Sequence, residues 1–77
     1  MNSQKDFEEA VFQGKTLRCG ENDIKLDGTK IIVHGPGFVA RGSALSHRYN
    51  NEDFITLTTN LGVPVMCFYV ADWEVKE

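Results

Sequence analysis

Two cysteines, two prolines and one tryptophan among 77 residues exclude several readings before any motif is sought. Cys19 and Cys67 are too few and too far apart for a metal cluster or a disulfide scaffold, so both are expected as free thiols that pack as small hydrophobes in a reducing, cytoplasmic compartment. No apolar run approaches the ~20 residues of a membrane-spanning helix and no secretory hydrophobic segment is present, so no membrane partner is expected. Repeats, linkers and low-complexity tracts are also missing, and residues 1–77 read as a single domain. A formal net charge of −3 offers no bulk field for a nucleic acid polymer. No phosphate-loop or dinucleotide glycine motif occurs. Ser43 or Ser46 beside His47 lacks an orienting acid, and neither His34 nor His47 has a carboxylate or thiol at ligand spacing. No catalytic residue, metal or cofactor is therefore expected.

What is present is an uneven distribution of charge. Between Asp27 and Glu52 the acidic chain carries no carboxylate, yet that stretch holds Lys30, His34, Arg41, His47 and Arg48, with glycines at 28, 35, 37 and 42. Guanidinium forks and backbone N–H groups exposed at glycine turns bind phosphate or carboxylate oxygens well. The cluster Arg41, Gly42, Ser43, Ser46, His47 and Arg48 reads as a clamp for a phosphate or ribose. The alternative is an exposed polar loop whose arginines pair loosely with Glu52, Asp53 or helix carboxylates, each pair contributing about 0–1 kcal/mol. Tyr49, Phe68, Tyr69 and Trp73 could stack on a base, with core packing expected for Phe68. Tyr69 and Trp73, four apart on one expected strand, would share a face.

The coarse structure follows from periodicity and punctuation. Ser3 can cap a helix over about Ser3 to Gln13, with Asp6 early, Phe7, Ala10 and Val11 on one face, and Gly14 as terminator. A first strand holds Leu17 and Cys19. Asp27-Gly28 predicts a hairpin in which Ile24 opposes Ile31, placing Ile24, Leu26, Ile31 and Val33 on one face and Lys30, Ile32 and His34 on the other. Phe38 to Arg41 suits a short strand, and residues 42–51 read as a loop with at most one helical turn. Phe54 to Thr59 alternates, and Asn60-Leu61-Gly62 turns it into a long run from Val63 to Val75. Pro64 suggests a free edge or a bulge at the start of that run. The unbroken apolar stretch Val65 to Val70 suggests burial on both faces, which in so small a protein needs a second subunit. A chain of this length buries only about 60% of its unfolded surface, so oligomerisation is expected on that ground too.

Both ends of the chain resemble one known family. Phe7-Glu8-Glu9-Ala10, followed by Gly14-Lys15 and Arg18, is similar to the helix-then-strand opening of the second Thoeris anti-defence family. Ala71-Asp72-Trp73-Glu74-Val75 is similar to its closing strand. The turn Gly20-Glu21-Asn22 stands where that family has an aromatic, and Val63-Pro64-Val65-Met66 replaces its segment before the last strand. The resemblance implies a small, oligomeric, β-rich phage protein that binds cyclic ADP-ribose derivatives without turnover, and it brings Arg18 and Trp73 into consideration as pocket residues.

These readings combine into one expectation. The fold is α+β, an N-terminal helix packed on a bent antiparallel sheet of five to six strands, forming at least a homo-oligomer. The expected function is sequestration of a small phosphorylated, nucleotide-like immune signal by a viral anti-defence protein in the host cytoplasm. Arg18, Arg41 and Arg48 would hold phosphates, Ser43 and His47 would bond ribose or phosphate, and Tyr69 or Trp73 would stack on the base. The alternative is a protein–protein inhibitor that docks on a host defence enzyme through the edge strand Val65 to Val70 or the acidic helix. A small phosphodiester hydrolase using His34 or His47 is the minor third reading.

Overall fold

A computed structural model describes residues 3–76 of the chain. Its first element begins where Ser3 predicts: the Ser3 hydroxyl accepts the Asp6 N–H at 3.2 Å, and α1 runs over Gln4–Phe12. The helix stops in a Schellman arrangement, with Gly14 N–H on the Val11 carbonyl and Lys15 N–H on the Ala10 carbonyl at 3.0 and 3.1 Å, so its last orphan acceptors are used. Phe7, Ala10 and Val11 form the buried face, as their spacing requires.

Seven strands follow: β1 (Leu17–Cys19), β2 (Asn22–Asp27), β3 (Lys30–Gly35), β4 (Phe38–Tyr49), β5 (Glu52–Thr58), β6 (Pro64–Tyr69) and β7 (Glu74–Val75). They form one antiparallel sheet in the order β6-β5-β4-β3-β2-β1-β7. The α+β reading with a single N-terminal helix holds, but the strand count is seven rather than five or six. Two corrections are needed, and the second supplies the extra strand. Residues 42–49, expected as loop, continue β4, and the run Val63 to Val75 divides into β6, a 3₁₀ turn over Val70–Asp72 and the short β7. The first was hidden because the polar residues Ser43, Ser46, His47 and Arg48 break the period-two pattern on a strand largely open to water.

Asn50-Asn51 closes the β4–β5 hairpin with both residues at positive φ, 51° and 64°, the two-residue turn that asparagine tolerates best after glycine. At the β2–β3 hairpin the central pair is Gly28-Thr29, not Asp27-Gly28. Gly28 alone has positive φ, 66°, the pattern of a type II′ turn. Ile24 consequently opposes Val33, and Leu26 opposes Ile31. A slip of two residues relative to the expected register leaves every side chain on its expected face, which a slip of one would not.

Two lengths require the sheet to curl. β4, at about 3.3 Å per residue, would extend ~40 Å if straight, whereas the longest axis of the molecule is 29 Å. β4 bends where it changes from pairing β3 through Phe38–Gly42 to pairing β5 through Ser43–Tyr49. Gly42 sits at that junction, and a Cβ there would lie 2.5 Å from the Thr58 carbonyl oxygen. The two edge strands are also tied together, because Tyr69 and Glu74 are five residues apart and at most ~18 Å can separate them, whereas a flat seven-stranded sheet would place its edges ~29 Å apart. The rolled sheet and α1 enclose one core: Phe7, Ala10, Val11, Leu17, Ile24, Ile31, Val33, Ile55, Leu57, Phe68, Val70 and Trp73. No helix among the described residues is long and apolar enough to cross a membrane.

Candidate functional site

Strand alternation assigns the side chains of β4 to two faces. Gly42 opposes core Ile31, and Ser46 opposes core Ile55, so even-numbered positions face the helix and the core. Arg41, Ser43, Leu45, His47 and Tyr49 fall on the outer face. The expected clamp is therefore divided: Arg41, Ser43 and His47 lie on one side of the sheet, and Arg48 on the other.

Each arginine already has a carboxylate. Arg41 Nε lies 3.0 Å from Asp27 Oδ2, Arg18 Nε lies 3.8 Å from Asp23 Oδ1, and Arg48 Nη1 lies 3.6 Å from Asp53 Oδ1. The Asp53 pair is structural, because the other oxygen of Asp53 accepts the Gln4 N–H at 2.7 Å. That carboxylate joins β5 to the positive end of the α1 dipole, and Arg48 extends the contact. Arg18 borders an open cleft of roughly 560 Å³ shared with Asp72, Glu74 and Lys76, where two carboxylates offset the two cations. Trp73 is 2% exposed and packs edge-on to Phe68 at 5.3 Å. The expectation that Trp73 and Tyr69 share a face is overturned: the 3₁₀ turn between them rotates the chain, sending the indole into the core while Tyr69 stays on the outer face.

Three of the expected site residues do meet. His47, Arg48 and Tyr69 line an open depression of roughly 500 Å³ together with Tyr49 and Phe54, Arg48 bordering it by its place between His47 and Tyr49 on β4 while its guanidinium pairs with Asp53 on the other face. Cross-strand pairing explains the meeting, since His47 opposes Phe54 and Phe54 opposes Tyr69 across β4, β5 and β6. The rings are in contact geometry, with Phe54 and Tyr69 edge-to-face at 5.3 Å and His47 and Phe54 tilted at 6.1 Å. The register of the β4–β5 hairpin, not sequence proximity, builds this wall. Phe54 was missed as a site residue because its neighbours alternate like any strand, and only the pairing shows that it bridges His47 and Tyr69.

Lower on the same outer face, Lys30, Arg41, Gly42, Thr59 and Asn60 line a smaller recess of roughly 220 Å³. Lys30 Nζ donates to Asn60 Oδ1 at 2.6 Å and to Ser43 Oγ at 3.3 Å, so its charge is held by neutral groups. Lys30 was grouped with the basic stretch but not with the clamp. Its position two residues before Ile32, itself paired with Arg41, is the signal that places both cations on one face.

Among the described residues no group of three or more His, Cys, Asp or Glu could hold a metal ion. Cys19 is partly buried and Cys67 exposed, and both are free; the expectation that both thiols pack inside fails for Cys67, which β6 directs outward. Compared with protein-family models, with curated proteins and with solved structures, the chain finds no match.

Proposed function

We propose that the chain is a non-catalytic binding protein that sequesters a small phosphorylated, nucleotide-like ligand, its base resting against Phe54 and Tyr69 and its phosphates reaching toward Lys30 and Arg41. The observation that carries this reading is the depression formed by His47, Tyr49, Phe54 and Tyr69. Its volume falls within the range of roughly 300–1,000 Å³ that small-molecule sites occupy, and two phenol rings with an imidazole suit a planar heterocycle. Ser43 stands four residues, about 13 Å, along β4 from His47, comparable with the length of a nucleoside diphosphate. Sequestration asks only for tight binding, and a wall of rings and N–H or O–H donors supplies that without a proton-transfer pair. The biological role, removal of a cyclic ADP-ribose-like immune signal by a viral anti-defence protein, is supported by the likeness of the two chain ends to the second Thoeris anti-defence family. Arg18 and Trp73, which that likeness brought forward, play no part in the depression.

Titration calorimetry against cyclic ADP-ribose isomers, cyclic dinucleotides and ADP-ribose, with each ligand recovered and checked for integrity, tests the proposal. The expected result is submicromolar binding of one intact member, weakened roughly 5- to 100-fold by Tyr69→Ala through loss of base stacking. Silence across the panel, or a ligand consumed during the titration, would overturn it. The rival reading, an inhibitor that docks on a host enzyme, is favoured by a separate observation: β6 is a sheet edge on which Val65 is 47% exposed.

A further inference from the structure

From Phe54 to Ala71 the chain has eighteen consecutive residues with no charged side chain and no histidine, in a protein that is 25% charged. That stretch is most of the β5–β6 hairpin, and β6 is one of the two edges of the sheet. The edges are built very differently. β7 is two residues long and includes Glu74 beside Lys76, so it is short and charged, the usual protection against strand addition. β6 is six residues long, Pro-Val-Met-Cys-Phe-Tyr, and carries neither lysine nor glutamate. Only Pro64 and the register shift at Leu57/Thr58 blunt it, and both lie at one end. Around it the surface is apolar: Leu61 is 91% exposed, Val63 54%, Leu45 54% and Val65 47%.

We infer that the β6 edge pairs antiparallel with the β6 edge of a second copy of this chain, joining two sheets into one continuous sheet. The absence of charge selects this occupant. A foreign partner is steered and registered by complementary charges, and this edge has none to offer, whereas two identical uncharged strands complement each other without any sign. Antiparallel pairing of a strand with its own copy also carries a two-fold axis perpendicular to the sheet, so a single edge serves as both halves of the interface. That axis keeps the two outer faces on the same side. Val63 and Val65, at the start of that edge, are 54% and 47% exposed, so the pairing covers apolar side chains as well as the unpaired N–H and C=O groups of the edge.

The symmetry makes a specific geometric demand. An axis perpendicular to the sheet runs midway between the two β6 strands, at the level of a residue that faces its own copy, and the central choices are Met66 and Cys67. Either puts the two Cys67 side chains on the same face, directly opposite at about 5 Å or diagonal at about 8 Å. With the axis at Cys67, Tyr69 of one copy stands opposite Val65 of the other, so the second copy adds a wall to the aromatic depression. The interface itself stands without the ligand reading.

Sedimentation velocity and native mass spectrometry of the purified chain, combined with cross-linking at Cys67, test the pairing. The expected species is twice the 8.7 kDa of one chain, about 17 kDa. A short bis-maleimide or a mild oxidant should trap it through Cys67, and Cys67→Ser should abolish that trapping while Cys19 remains. Val65→Lys, which places a charge at the edge, should raise the dimer dissociation constant at least ~100-fold while leaving the circular dichroism spectrum of the folded chain unchanged. If Val65→Lys fails to fold, the cross-link in the unmodified chain decides by itself. A monomer at all concentrations up to 1 mM as an order of magnitude, or a dimer in which Cys67 cannot be linked to Cys67, would overturn the proposal. Monomer in isolation with capture of the β6 edge by a host enzyme would instead favour the inhibitor reading.

Discussion

The outer face of the sheet has two halves that share one core and one backbone pattern but differ in chemistry. Over β1, β2, β3 and the start of β4 the outer positions are mostly charged, Arg18, Asp23, Lys25, Asp27, Lys30 and Arg41 beside His34 and the exposed Val39, with ion pairs joining Arg18 to Asp23 and Arg41 to Asp27 at 3.8 and 3.0 Å. Over the rest of β4, β5 and β6 they are Leu45, His47, Tyr49, Phe54, Thr56, Val65, Cys67 and Tyr69, with ring contacts in place of ion pairs. The first half is finished against water mainly by its own charges, with Val39 the exposed apolar exception at 61%. The second presents apolar surface that nothing among the described residues covers, and both the ligand reading and the self-pairing reading arise there. Sheets of the antiparallel class tolerate one solvated face, and the polar finish of the first half shows what such a face ordinarily looks like.

The sharpest way to break this comparison is at the junction of the halves. Gly42→Val places a side chain against the Thr58 carbonyl, where a Cβ would already lie 2.5 Å away, and the backbones of β4 and β5 must separate to admit it. The expected loss is about 2–4 kcal/mol, a fall of at least ~10 °C in the melting temperature of a domain this size. A variant melting within a few degrees of the parent would show that the bend at Gly42 is not constrained by close packing.

A smaller effect is expected where the apolar half is tied to the helix. Asp53→Ala removes the acceptor of the Gln4 N–H and the partner of Arg48, and the expected cost is about 1–2 kcal/mol. Arg48→Ala, whose side chain is 69% exposed, should cost clearly less. Equal costs from the two substitutions in chemical denaturation would mean that Asp53 acts through the ion pair alone and that the helix contact contributes nothing.

The smallest effect belongs to the charged half. A double-mutant cycle on Arg41 and Asp27, whose side chains are 54% and 49% exposed, should give a coupling of about 0.2–1 kcal/mol that shrinks as salt is raised. A coupling well above that range, or one insensitive to salt, would contradict the view that these pairs are a solvated finish.

Much of the fold was legible along the chain because its signals are local. Ser3 and Gly14 bounded the helix through hydrogen bonds made within a few residues, and the alternation of Ile24, Leu26, Ile31 and Val33 assigned the core face even though the turn was placed one residue early. Residues 42–49 were not legible as strand because propensity carries little weight where a polar row faces water and pairing with β5 supplies the ordering energy. The site was legible only in its ingredients. His47, Arg48 and Tyr69 were singled out by residue type, but the arginines were placed in one clamp because sequence distance does not reveal which face a side chain takes.

What the sequence determined by itself is whatever depends on neighbours in the chain: the capped helix, a hairpin turn around Gly28, the period-two core pattern, and the long charge-free segment. Only the tertiary structure decided the rest. The curl that brings β6 and β7 near each other, the burial of Trp73 against Phe68, the capture of each arginine by a carboxylate and the meeting of His47 with Tyr69 across Phe54 all depend on strand register, and register is fixed by contacts between residues far apart in sequence.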